Sequence, residues 1–190
     1  VFLDRDGVLI KDVDHLTAAS QIEILAGVPE ALRRLRQAGW CLVVATNQSV
    51  VARGLVTEDG LRQIHHVLET QLRRHGATLD AIYYCPHHPQ GSVAVYRVVC
   101  DCRKPEPGLL LRAAKELGID LKQSVMVGDT ANDVEAGRRV GCRTVLVTAA
   151  GAVGLRGDIG DRAGDPVPDH LAATFKEATE WIARLGQCDP

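Results

Sequence analysis

An α/β fold is predicted, a Rossmann-like three-layer sandwich with a central parallel sheet. Three observations predict it. Short apolar runs alternate with amphipathic segments of helical period along the 190 residues, which is the pattern of successive βα units. Two acidic clusters, Asp4-Arg5-Asp6-Gly7 and Gly128-Asp129, each follow directly on an apolar run. Parallel strands end on one rim of the sheet, where ligands bind, so two such clusters can converge there. With 46% hydrophobic and 24% charged residues, the chain fits one compact domain over residues 1–190, with room for a small insertion.

Taken in order, the first strand is Val1 to Leu3. The chain opens without a methionine only three residues before Asp4, so a few leading residues are expected to be missing and this strand to be longer. Pro29 and Gly39 frame a helix through Ala31, Leu32 and Leu35. Cys41 to Ala45 reads as the second strand. Thr57 is an N-cap for a helix through Leu61, Ile64, Leu68 and Leu72 to about His75, with Gly76 as its stop. Ala81 to Tyr84 reads as the third strand, and a helix follows from Gly108 to Leu117, ended by Gly118. Val125 to Val127 is the fourth strand, Asn132 to Val140 a short helix before Gly141, and Thr144 to Val147 the fifth strand. Gly151 to Pro168 holds five glycines, two prolines and no periodicity, and reads as a mobile loop. His170 to Leu185 reads as an amphipathic helix against the sheet edge, and Cys188 falls in a tail expected to be mobile.

A formal charge of -2, with the 22 basic residues scattered, leaves no electrostatic footprint for nucleic acid or an anionic membrane. No apolar stretch approaches a membrane span and no signal segment opens the chain. A cytoplasmic, monomeric protein is expected.

Candidate chemistry starts with Asp4 and Asp6. On one curled rim, with Gly7 permitting the curl, one carboxylate can attack phosphorus while the other moves a proton. Alone, the tetrapeptide reads as well as a solvated turn. After the second strand come Thr46-Asn47-Gln48-Ser49, and Thr46 and Asn47 are the chosen donors to phosphate oxygens; a polar Asx turn is the alternative. Arg53 suits a second anionic group, or a plain surface position. In Arg103-Lys104-Pro105, Lys104 is a compact cation that can screen Asp4 from an incoming phosphate, and Arg103 offers a planar fork. Asp129 suits a magnesium ligand, whereas Asp133, on a first helical turn, is read as a cap or supporting group.

Cys85, His87, Cys100 and Cys102 form a further constellation, with twelve residues between His87 and Cys100. Three thiolates and one imidazole close a tetrahedral zinc shell with no open position, so a structural Zn2+ is expected, pinning the loop of about residues 85–102. His87 is preferred to His88 because C-x-H mirrors C-x-C. A disulfide is the alternative.

The D-x-D, T-N, K-P and G-D-x-x-x-D pieces, in this order over about Val1 to Leu146, resemble the haloacid dehalogenase superfamily of aspartate-nucleophile phosphatases. That resemblance implies Asp4 as nucleophile, Asp6 as acid and base, Thr46 and Lys104 as phosphoryl stabilisers, and Mg2+ held by Asp4, Asp129 and the Asp6 carbonyl. Cys85 to Gly108 and Thr46 to Gly54 further resemble the D-glycero-D-manno-heptose 1,7-bisphosphate phosphatases, cytosolic enzymes on the way to nucleotide-activated heptose for lipopolysaccharide or surface-layer glycans. This implies a small phosphorylated sugar substrate faced by Asn47, Gln48, Ser49, Arg53, Arg103, Thr130 and a flap over Asp12 to His15, with Asp12 and His15 as contacts. Val50 stands where that family usually has glycine, and Thr130 where it commonly has lysine. Two competing readings stand beside it: a histidinol-phosphate phosphatase of the same superfamily, and a non-catalytic zinc-stabilised binding module.

Overall fold

The computed structural model describes residues 1–148 and 166–185. Its centre is a six-stranded sheet, all parallel, in the order β3-β2-β1-β4-β5-β6. The strands are β1 (Phe2–Leu3), β2 (Val43–Asn47), β3 (Ala81–Cys85), β4 (Val125–Gly128), β5 (Arg143–Val147) and β6 (His170–Ala172). The helices are α1 (Val28–Gln37), α2 (Ser49–Ala52), α3 (Glu58–Arg74), α4 (Gly108–Leu117), α5 (Ala131–Arg139) and α6 (Phe175–Leu185).

Alternation along the strands divides the core into two layers. Leu3 and Val44 point into the layer shared by Leu32 and Leu35 of α1, Leu68 and Leu72 of α3, and Ile182 of α6. Phe2, Val43 and Met126 point the other way, against Leu109, Leu110 and Ala113 of α4. Strands covered on both faces need continuous apolar runs, and Val43, Val44 and Ala45 are fully enclosed. On the second face α5 packs close to β4 and β5 because Gly137 carries no side chain; a Cβ there would lie 2.8 Å from Met126 Cβ and from Thr144 Cγ2.

Parallel β1 lies between β2 and β4, with Leu3 opposite both Val44 and Val127. Brought to the same rim are therefore the segments after Leu3, after Asn47 and after Gly128. Beyond Asp6 the chain makes a small flap, held at its root by bridges from Ile10 to Asp6 and to Ile24 and by Lys11 N–H donating to the Glu23 carbonyl.

Two sequence readings change. The helix expected over His170–Leu185 is two elements: His170–Ala172 extends the sheet beside β5, and α6 begins only at Phe175. Three residues are too few to show a strand period, and the edge of β5 supplies their hydrogen bonds. Thr174 Oγ1 accepts from Glu177 N–H and Glu177 Oε2 from Ala173 N–H, caps that mark the true helix start. Second, β2 runs two residues later than expected, through Thr46 and Asn47, because its pairing with β3 continues to Asn47 opposite Cys85. Directly after β2, Ser49–Ala52 is helical, with Val50 and Val51 buried. The loop expected at Gly151 to Pro168 lies outside the described residues as far as residue 165, and Cys188 lies outside them as well.

Candidate active site

Asp4 is the first residue past β1, and its backbone N–H donates to the Val127 carbonyl at 2.9 Å, which ties it to β4. Asp129 reaches the same point from the end of β4. Gly7 makes that approach possible: its φ is 75°, and a Cβ on it would collide with the Asp129 carboxylate. Gly128 is needed in the same way, since a Cβ there would overlap the side chain of Asp133. Asp4, Asp129 and Asp133 consequently present carboxylate oxygens all within 4.8 Å of one another.

Lys104 is the cation among them. Its Nζ lies 2.8 Å from Asp4 Oδ1, 2.5 Å from Asp133 Oδ1 and 2.7 Å from the Ala45 carbonyl. Burial by itself would depress the ammonium, but Asp133 and Asp4 outweigh it and hold its pKa above the ordinary lysine value. Asp133 also accepts from Thr130 N–H at 3.1 Å and Thr130 Oγ1 at 2.6 Å, so it caps α5 while bracing Lys104. Three carboxylates face one ammonium, an excess of negative charge that pushes the Asp129 carboxyl up to about 8, through burial first and then Asp4 and Asp133. An oxygen-lined, over-negative cluster on an open rim fits a hard divalent cation such as Mg2+.

Asp6 sits beside this cluster, with 23% of its side chain exposed. Gln48 Nε2 donates to Asp6 Oδ2 and to Thr46 Oγ1, each at 2.9 Å, so a buried amide joins the acid to the threonine. Asn47 is spent differently. Its Oδ1 accepts from Lys104 N–H and its Nδ2 donates to the Lys104 carbonyl, both at 3.0 Å, which fixes the lysine backbone against β2.

The Cys/His constellation forms at the end of β3. Sulfur and Nδ1 atoms of Cys85, His87, Cys100 and Cys102 lie 3.2 to 3.7 Å apart. Thiolates at tetrahedral corners with Zn–S of about 2.3 Å stand about 3.8 Å apart, so the four groups fit Zn2+ after a small expansion. Thiol chemistry agrees: beside Cys102 the Cys85 thiol is pushed up, while Cys102 is pulled down to about 5, first by Cys85. Three thiolates this close need a cation. His88 is outside the cluster, its Nδ1 accepting from Gln90 N–H at 3.1 Å.

The remaining expected residues sit around the rim. Arg103 Nη1 donates to the His87 carbonyl at 3.2 Å, and the exposed Arg53 follows α2. Burial, then Arg103, then Arg53 lower the His88 pKa, so both arginines bring their charge to one place. A cavity of about 310 Å3 opens there, lined by His88, Arg103, Lys104, Glu106 and Asn132 among others. Ser49 begins α2 at this edge. In the flap, Asp12 Oδ1 accepts from Asp14 N–H and His15 Nδ1 pairs with Asp14 Oδ2, both at 2.9 Å.

The HAD-hydrolase-like family model matches residues 101–178. D-glycero-beta-D-manno-heptose-1,7-bisphosphate 7-phosphatase of Salmonella typhi is 40% identical over 182 residues, covering 96% of this chain and 88% of that protein. The protein of the same name from Escherichia coli K12 is 44% identical over 151 residues, covering 80% and 79%. The chain belongs to the heptose-bisphosphate phosphatase family of the haloacid dehalogenase superfamily. A solved member, D,D-heptose 1,7-bisphosphate phosphatase from B. bronchiseptica complexed with magnesium and phosphate, superposes with a TM-score of 0.83 at 32% identity, covering 97% of each chain.

Against this heptose-bisphosphate phosphatase pattern the two departures acquire a physical reading. Val50 lies within α2 with its side chain buried, a conformation that needs no glycine. Thr130, in the place of a lysine, spends its hydroxyl on Asp133. Two groups that matter here were missed from the sequence: the buried Arg5, paired with Asp6, Gln48 and His65, and His65 itself on α3. The D-R-D spacing was the available signal for Arg5; nothing local marks His65.

Proposed function

We propose that this chain hydrolyses the 7-phosphate of D-glycero-β-D-manno-heptose 1,7-bisphosphate, giving the heptose 1-phosphate and inorganic phosphate. The observation that carries the reading is Asp4, ion-paired to Lys104 and converging with Asp129, beside a part-exposed Asp6. The shared name of the relatives supports the substrate and its β anomer.

Asp4 attacks phosphorus and forms an acyl-phosphate while the ester P–O bond breaks. Asp6 gives its proton to the leaving sugar oxygen, then takes one from the water that attacks the aspartyl-phosphate and frees phosphate. Lys104 and Thr46 offset charge on the transferring phosphoryl group. Mg2+, held by Asp4, Asp129 and the Asp6 carbonyl, supplies Lewis-acid charge there when bound. Zn2+ on Cys85, His87, Cys100 and Cys102 is structural. Arg53 and Arg103 take the second phosphate, with Asp12, His15, Ser49 and Thr130 around the sugar; Asn47 and Gln48 act from behind, through Lys104 and Asp6. The reaction is assigned to the cytosol, where the zinc thiols stay reduced, upstream of nucleotide-activated heptose.

Phosphate release from both anomers of the heptose bisphosphate and from histidinol phosphate, at fixed magnesium, tests this. The β anomer is expected to give the highest kcat/KM, and histidinol phosphate as the best substrate would overturn the assignment. Asp4→Asn should abolish turnover with its melting temperature retained. Asp6→Asn should lose on the order of a hundredfold, the scale of a general acid and base.

A further inference from the structure

Arg5 is 1% exposed and heads the wholly enclosed side chains, yet the reaction above gives it nothing to do. A guanidinium is strongly disfavoured out of water unless its donors are paired, and here they go to three places. Nε lies 3.2 Å from Asp6 Oδ1, and Nη2 lies 3.0 and 2.9 Å from Asp6 Oδ1 and Oδ2. Nη2 also donates to Gln48 Oε1 at 2.8 Å, and Nη1 meets His65 Nε2 at 3.1 Å. Arginine has no acceptor, so this last contact requires a lone pair on Nε2 and the ring proton on Nδ1. His65 is 6% exposed, with the Tyr84 ring tilted against it at 5.5 Å. Burial and then Arg5 hold its pKa down to about 3, so the ring stays a neutral acceptor.

Both Asp6 oxygens take part, Oδ1 and Oδ2 accepting the guanidinium fork and Oδ2 the Gln48 amide, while the side chain keeps part of its surface exposed. We propose that Arg5 is a positioning residue for Asp6, and that His65, by accepting from Nη1, sets the rotation of the guanidinium that aims the acid. A forked pair removes side-chain freedom from a carboxyl that must meet the leaving oxygen within hydrogen-bond reach. Gln48 closes the frame by accepting from Arg5 while donating to Asp6. This deepens the proposed function and rests on Asp6 being its acid.

The test separates aim from mere stability through the leaving group. A sugar oxygen must be protonated as its P–O bond breaks, whereas p-nitrophenolate departs without a proton, and kcat/KM covers the steps through phosphoryl transfer to Asp4. His65→Leu is expected to lower kcat/KM on the heptose bisphosphate tenfold or more, with KM little changed, and on p-nitrophenyl phosphate less than threefold. His65→Gln, whose amide oxygen can accept from Nη1, should recover the sugar-phosphate rate to within about threefold. Arg5→Lys, which keeps the charge and loses the fork, should show the same split as His65→Leu and serves if the latter does not fold. Equal losses on both substrates, or no recovery in a folded His65→Gln, would overturn the proposal. If the wild type spares the heptose bisphosphate but cleaves glycerol 2-phosphate and p-nitrophenyl phosphate, the substrate assignment fails alone, and the same split is read with glycerol 2-phosphate.

Discussion

Gly7 is the residue on which the convergence of the two acidic clusters turns. Its left-handed backbone and missing side chain let the Asp129 carboxylate lie against the loop that carries Asp4 and Asp6. Gly7→Ala is expected to cost about 1–2 kcal/mol for the left-handed backbone alone. The new methyl group must also displace Asp129, so magnesium-supported turnover should fall well beyond what the stability loss explains. Magnesium titration of the folded variant checks this, and wild-type affinity would contradict the assigned contact. Lys104 has the converse importance. It is the one ammonium paired with both Asp4 and Asp133, and removing it would leave two buried carboxylates without their counter-charge.

At the scale of elements, the loop between β3 and α4 that carries the Cys/His cluster is held from three sides. Gln48 N–H donates to the Cys85 carbonyl, Val93 N–H to the Ala52 carbonyl, and Glu58 at the start of α3 accepts from Tyr84 and Tyr96 hydroxyls. Gly91 fits against Ala52, where a Cβ would approach its carbonyl to 2.7 Å. What those contacts do not reach is the return through Cys100 to Cys102, which leads to Arg103 and to the Lys104 whose backbone Asn47 holds. Zinc on the four ligands would tie that return to the end of β3. Cys102→Ser, or treatment with a strong zinc chelator, is expected to release zinc, lower the melting temperature and open the loop to protease. Turnover should drop by roughly a hundredfold, the scale of an ångström of misplacement. A chelated protein with full activity would show that Arg103 and Lys104 hold their places without metal.

For the molecule as a whole, His65 predicts a pH limit on stability. Its pKa falls from 6.5 to about 3 on folding, so the folded state refuses a proton that the unfolded state takes. The stabilisation is complete above pH 6.5 and is lost as pH falls toward 3, by about 1.4 kcal/mol per unit. Melting temperature measured from pH 7 to pH 5 should fall more steeply for the wild type than for His65→Gln, and parallel curves would sink the claim. Much of this architecture was legible beforehand. The five strands, the helix stops at Gly76 and Gly118, and the acid and thiol motifs are local patterns, set by side-chain period, backbone freedom and ligand type within a few residues. The sixth strand was not legible, because three residues carry no period of their own. Pairing was not legible: Gln48 and Asn47 looked like substrate donors, yet one amide is spent on Asp6 and the other on the Lys104 backbone. Residue chemistry is inscribed in the chain because a carboxylate or thiolate brings its reactivity anywhere. Which polar groups meet is decided only when β1 lies between β2 and β4, because hydrogen bonds and ion pairs depend on distances that strand register alone sets.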